Sequence, residues 1–116
     1  MKVGFITRDD EHVQGQLRSA PRLLVYQVTA AGSRLERSCA FDPAADRSTH
    51  RLEALAGAAL VYVAAIGPSM AARLAARGVQ AATAREGTPI RDVLRSLERR
   101  LRGPGAAALL PAGGPA

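Results

Sequence analysis

The chain has 116 residues and a mass of 12.1 kDa, enough for one domain with one real core. Its 47% hydrophobic fraction includes 24 alanines, and two Phe, two Tyr and no Trp leave few rings for stacking bases or sugars, so whole-chain disorder and an aromatic nucleic-acid platform are excluded. The net charge of +6, with 15 of 16 cations being Arg, favours anionic partners, and the single Cys39 excludes an intramolecular disulfide framework and a four-cysteine zinc site.

Taken in chain order, Lys2 to Thr7 (KVGFIT) reads as a buried strand, short and apolar, ended by Arg8-Asp9-Asp10. This start has no signal-peptide pattern, and the longest apolar run, Ala58 to Ile66, is half of transmembrane length or less. The expectation is a soluble, cytoplasmic protein without membrane contact. Residues 8–20 read as a polar loop. Arg22 to Thr29 is a second strand rich in β-formers, followed by a hairpin turn at Ala30-Ala31-Gly32-Ser33 and a third, edge strand over Arg34 to Ala40. Phe41 to Arg47 reads as loop.

The pattern then changes to alternating helix and strand. Ser48 or Thr49 can cap a short helix through Ala56, with Gly57 after it. Ala59 to Ile66 suits a strand buried on both faces. Ser69 can cap a helix through Arg77, ended by Gly78, and Val79 to Ala84 is a fifth, weak strand. Thr88 as N-cap and Pro89 as first residue open the last helix. Ile90, Val93, Leu94, Leu97 and Leu101 share one face of it, while Arg91, Arg95, Arg99 and Arg102 fall elsewhere. From Gly103 to Ala116 the chain carries no charge and no period, and reads as a disordered tail after a domain over residues 1–102.

Three antiparallel strands followed by two crossover units is the ribonuclease H-like order, an α/β fold. Right-handed crossovers place the five strands of the mixed sheet as 3-2-1-4-5, with helices on both faces. Ligands in such sheets sit beyond the carboxyl ends of the strands, where the order reverses. That rim is expected to collect His12, Cys39, the helix start at Gly67-Pro68-Ser69, and the cations Arg8, Arg18 and Arg22.

Each candidate carries two readings. His12 is either an exposed loop histidine or an iron ligand, since neutral imidazole suits iron. Cys39 is either a small buried hydrophobe or a thiolate ligand helped by Arg34 and Arg37. Gly67 to Ser69 is either an ordinary turn or a holder of carboxylate or phosphate through free backbone N–H groups. His50 lies out of phase with Leu52 and Leu55 and reads as exposed. Asp9, Asp10 and Glu11 read as a solvated loop, because a two-metal nuclease needs carboxylates drawn from several strands. No Walker loop, GxGxxG or supported catalytic triad is present.

The opening MKVGFITRDDEHVQGQLRSAPRLLVYQV resembles that of the nitrogenase cofactor carrier family, the NifX and NafY group whose domain also ends many NifB proteins. The matching residues are His12, Val13, Ser19, Ala20 and Tyr26. The second half is similar too: leucine-alanine-glycine, an apolar strand, Ala65-Ile66-Gly67, a small-residue helix, then Gly87-Thr88-Pro89-Ile90. The resemblance covers about residues 1–102. It implies a ribonuclease H-like, non-enzymatic carrier of the iron–molybdenum cofactor or its NifB-type iron–sulfur precursor. The implied partners are a NifB-like donor, a scaffold and an apo-nitrogenase acceptor, with no nucleic acid. It implies cluster binding by a loop histidine, and only His12 carries over; Gln16 stands where the family has a second histidine, and Leu17-Arg18 where it has Phe-Gly. His12 and Cys39 are thus the candidate metal ligands, with Arg18, Gly67 and Ser69 beside them for an anionic cargo. Two other readings remain: a metal-free interaction module of the same fold, and a ribonuclease H-like nucleic-acid protein, which only charge and fold motivate.

Overall fold

Val3 to Thr7 is an uninterrupted run without charge, and it becomes the buried centre of the sheet. The strand is β1 (Lys2–Thr7) in a computed structural model that describes residues 1–41 and 48–103. On one side it pairs antiparallel with β3 (Arg22–Thr29), Val3 opposite Tyr26 and Phe5 opposite Leu24. On the other it pairs parallel with β5 (Leu60–Val63), Val3 opposite Leu60. β4 (Gly32–Ala40) and β6 (Gln80–Thr83) form the two edges. The sheet order is β4-β3-β1-β5-β6, the succession that right-handed crossovers demand.

Each face of the sheet is covered. α1 (Ser48–Ala54) and α2 (Pro68–Ala76) bring Leu52 and Leu74, with Leu55 just after α1, onto Ile6, Leu23, Val25, Val61 and Val63. α3 (Ile90–Arg102) brings Ile90, Leu94 and Leu97 onto Val3, Phe5, Leu24, Val28 and Leu60. Its apolar residues recur at helical spacing, so one face is buried and the arginines stay outside. Phe5 carries the second core, edge-on to Tyr26 and stacked on Tyr62 at 5.4 Å between centroids. Gly4 is the close-approach position between β1 and the first core: a Cβ there would stand 2.5 Å from Leu55 Cδ2. Arg51 is buried, donates to the Ala20 carbonyl at 2.9 Å and lies over the Phe41 ring.

Several boundaries differ from the expectation. The polar loop 8–20 contains β2 (His12–Val13) and a 3₁₀ turn (Leu17–Ser19), because Val13, Leu17 and Ala20 are buried anchors. β5 stops at Val63 rather than Ile66, since the amides of Ala64 and Ala65 turn to the Gly15 carbonyl. α2 is capped by Gly67, not by Ser69, with Pro68 in the first position. Thr88-Pro89 does not open the last helix. It forms β7 (Thr88–Pro89), antiparallel to β2, and the helix starts at Ile90 with its amide on the Glu11 carbonyl. The loop expected up to Arg47 and the tail expected from Gly103 lie, beyond Phe41 and Gly103, outside the described residues.

Candidate functional site

The loop after β1 is built around one carboxylate. The amides of Glu11 and His12 each donate to Asp9 Oδ1 at 2.9 Å, and Asp9 Oδ2 meets His12 Nδ1 at 2.7 Å. These bonds to the charged form hold the Asp9 carboxyl well below its ordinary value, the Glu11 amide first and the His12 ring second. Gln14 closes the turn from the far side, its Oε1 accepting from the amide of Arg8 at 2.8 Å. Asp10 takes the left-handed backbone, φ 68°, which a short polar side chain tolerates. Its carboxylate is fixed by Arg22 Nε at 2.5 Å, and Arg22 reaches on to Ser38 Oγ. The Arg22 guanidinium is in turn held more firmly charged by Asp10.

Glu86 straps this loop to the far end of the chain. Its Oε1 accepts from the Gly15 amide at 2.7 Å, and its Oε2 pairs with Arg8 at 3.1 Å. The β2–β7 ladder completes the tie, with the Gly87 amide on the Val13 carbonyl.

With Nδ1 placed on Asp9, the tautomer of His12 that donates from Nδ1 carries its lone pair on Nε2. That nitrogen has no hydrogen-bond partner among the described residues. A carboxylate on the second ring nitrogen is how metal-binding histidines are oriented and made more basic. Ligand atoms of Asp9, Glu11 and His12 lie within 4.8 Å of one another. A hollow of about 440 Å³ adjoins them, floored by Tyr26, Ile90 and Leu94 and rimmed by Arg91 and Arg95.

The remaining candidates lie elsewhere. Arg18, Gly67 and Ser69 do come together, with Gln16, Met70 and Arg73, around a second hollow of about 320 Å³. Cys39 pairs with Leu23 and packs half-buried against the α1 and α2 core. His12, beside Val13 and the α3 core, is on the other face. The expectation that one rim gathers all five residues is therefore corrected: His12 and Cys39 are separated by the sheet. The alternation of β4 decides this, since Cys39 falls in phase with Arg37, which reaches the α1 carbonyl of Ala54. His50 is exposed, as expected. Sequence reading missed the Asp9–His12 pair, whose signal was the spacing of an acid three residues before a histidine. It also missed Glu86, which sits 71 residues from the amide it binds and leaves no local signal.

Comparison with known proteins decides what this architecture belongs to. A family model described as dinitrogenase iron-molybdenum cofactor matches residues 1–100. The chain belongs to this family. Within the dinitrogenase iron-molybdenum cofactor family it is 31% identical over 109 residues to the protein NifX of Herbaspirillum seropedicae, covering 89% of this chain and 75% of that one. It is 28% identical over 113 residues to NifX of Rhodobacter capsulatus, covering 89% and 71%. It is 28% identical over 106 residues to NifY of Azotobacter vinelandii, covering 87% of this chain but only 43% of the relative. The crystal structure of PH0822 shares the mixed α/β fold, with a TM-score of 0.63 at 17% identity over 85% of this chain and 90% of its own. Family membership supports a role in nitrogenase cofactor handling, and both hollows lie inside the matched residues. No described helix is long and apolar enough to cross a membrane.

Proposed function

We propose that the protein is a carrier: it binds the iron–molybdenum cofactor or its NifB-type iron–sulfur precursor and passes it between assembly proteins. The observation that carries this reading is His12, oriented by Asp9 so that Nε2 is presented as a ligand. Neutral imidazole is a suitable donor for iron, and a single ligand on an exposed loop permits release. The cargo is anionic, and Arg91 and Arg95 rim the hollow beside His12. Arg18 with the α2 N-terminus at Gly67 and Ser69 offers a second place for a carboxylate or sulfide-rich surface. Cys39 would act as a separate thiolate ligand on the opposite face, not as a partner of His12. The donor is then a NifB-like protein and the acceptor a scaffold or apo-nitrogenase, in the cytoplasm. The site offers orientation and charge rather than an enclosed acid–base pair, in keeping with a carrier rather than an enzyme.

The test is anaerobic titration of the purified protein with an isolated NifB-type cluster, reading co-eluted iron on a sizing column. Stoichiometric loading that is lost in His12→Ala supports the proposal. Loading indifferent to His12 overturns the site, and loading lost in Cys39→Ala instead moves it across the sheet.

A second reading is favoured by one observation. Gln16, in the place of the family's second histidine, is bridged to Ala65 and lines the other hollow, away from His12. On that reading the domain is a metal-free interaction module, and no cluster binds at all.

A further inference from the structure

Arg91, Arg95 and Arg99 recur every fourth residue along α3, all three exposed, and none has an ion-pair or hydrogen-bond partner among the described residues. Four residues advance a helix by about 6 Å and about 40° past a full turn, so the three arginines form one slanting row that rises about 12 Å along the axis. Local energetics oppose this arrangement. Like charges four residues apart repel, and Arg91 lies in the first turn, at the positive end of the helix dipole. The helix offers little relief: Glu98 is engaged by Ser33 Oγ on β4, and Asp92 is the other acid. A row kept against local stability is a candidate for binding.

The row also has a direction. Its N-terminal end opens into the hollow that holds Asp10, Glu11 and His12 together with Arg91 and Arg95. Carboxylates, Asp92 among them, close that end, while Arg95 and Arg99 continue along the exposed side and Glu98 is turned to Ser33 on β4. A phosphate backbone, uniformly anionic, would meet repulsion at Glu11 and Asp92. A protein helix carrying carboxylates four residues apart would match the 6 Å spacing and could place a cation at the acidic end.

We propose that Arg91, Arg95 and Arg99 form the docking face for an acidic helix of a partner protein, laid along α3 so that its end reaches the His12 hollow. This rests on the carrier reading for the partner's purpose, cargo exchange, but not for the docking itself. The contact is electrostatic and exposed, so it is weak, rapid and salt-sensitive.

The test uses the full chain without cargo and follows backbone amide shifts by NMR. The probe is a synthetic helical peptide with glutamates at three successive i, i+4 positions; a scrambled peptide of equal composition is the control. Expected are shifts confined to α3 and the residues of the His12 hollow, affinity at least about tenfold above the scramble, and loss of binding on adding 0.5 M salt. Arg91→Glu with Arg95→Glu should remove binding while circular dichroism and Tm show the fold intact. Equal binding of the scramble, shifts spread over Arg34, Arg37 and Arg73 as well, or tighter binding of a DNA duplex or phosphatidylserine vesicles would overturn the proposal. Docking is also read in His12→Ala, which leaves the arginine row intact: peptide binding retained there while cluster loading is lost separates the two functions, and a parent protein that binds the peptide but loads no cluster refutes only the carrier site.

Discussion

Nδ1 of His12 stands 2.7 Å from Oδ2 of Asp9, and the other oxygen of the same carboxylate holds the His12 amide. One side chain thus fixes both the backbone and the ring of its neighbour three residues on. If His12 Nε2 is the iron ligand, Asp9 is its positioning residue. Asp9→Ala is expected to weaken cluster retention by about 10- to 100-fold, the usual cost of losing such a support. Asp9→Asn should recover part of that through the loop alone, because its one amide oxygen can still accept from the Glu11 and His12 amides while an NH2 stands where Oδ2 met the ring. Loading curves of the two variants check this, and equal loading in all three proteins would refute it.

The same carboxylate gives the acid limb of the stability curve a defined sign. Asp9 titrates below its ordinary 3.8 in the folded chain because its charged form accepts the Glu11 amide and the His12 ring. The folded state therefore binds fewer protons than the unfolded state, and stability rises with pH across that window. The contribution is complete above the ordinary value and disappears as pH falls through the folded one. Asp9→Asn is expected to melt below the parent at pH 7, with the gap narrowing toward pH 3. A gap independent of pH would show that the carboxylate's charge plays no part.

Glu86 binds the Gly15 amide and Arg8 across the mouth of the loop. The ion pair is exposed on both sides and is worth little alone. The bond to the amide is charge-assisted, so Glu86→Ala should cost about 1 kcal/mol in urea unfolding. The informative readout is local. Amide exchange of residues 13–16 should quicken more than that of β1, since the strap holds the loop and not the sheet.

Gly4 has its place because Leu55 fills the space beside it. Gly4→Ala sets a methyl 2.5 Å from Leu55 Cδ2, with Leu23 and Val61 closing the other sides. Overpacking of this kind costs about 1–3 kcal/mol. Leu55→Ala alone removes a fully buried side chain and costs about 2–5 kcal/mol. The double variant should be more stable than the sum predicts, because the new methyl enters the vacated space. Simple additivity would place the clash elsewhere.

The framework was legible because burial leaves a plain mark. KVGFIT and LVYV carry no charge between their ends, and α3 repeats its leucines at helical spacing. The loop after β1 was not legible, because its structure is polar. Asp9, Gln14 and Glu86 satisfy backbone amides one by one, and such bonds have no period. Thr88-Pro89 shows how tertiary pairing overrides a local signal. A strong helix-start pair became a strand because Val13 and Glu11 offered it a ladder. Cys39 and His12 were expected together for want of one fact, the phase of β4, which a bulge opposite Val25 and Tyr26 resets.

The two-residue ladder between β2 and β7 has a thermodynamic consequence. His12 is opposite Pro89, and the next residue begins the arginine-bearing helix, its amide on Glu11. Cargo on His12 and a partner on α3 would therefore act on one rigid joint. Whatever factor the partner applies to cargo affinity, the cargo must apply to partner affinity. A carrier wired in this way would tell its acceptor whether it is full.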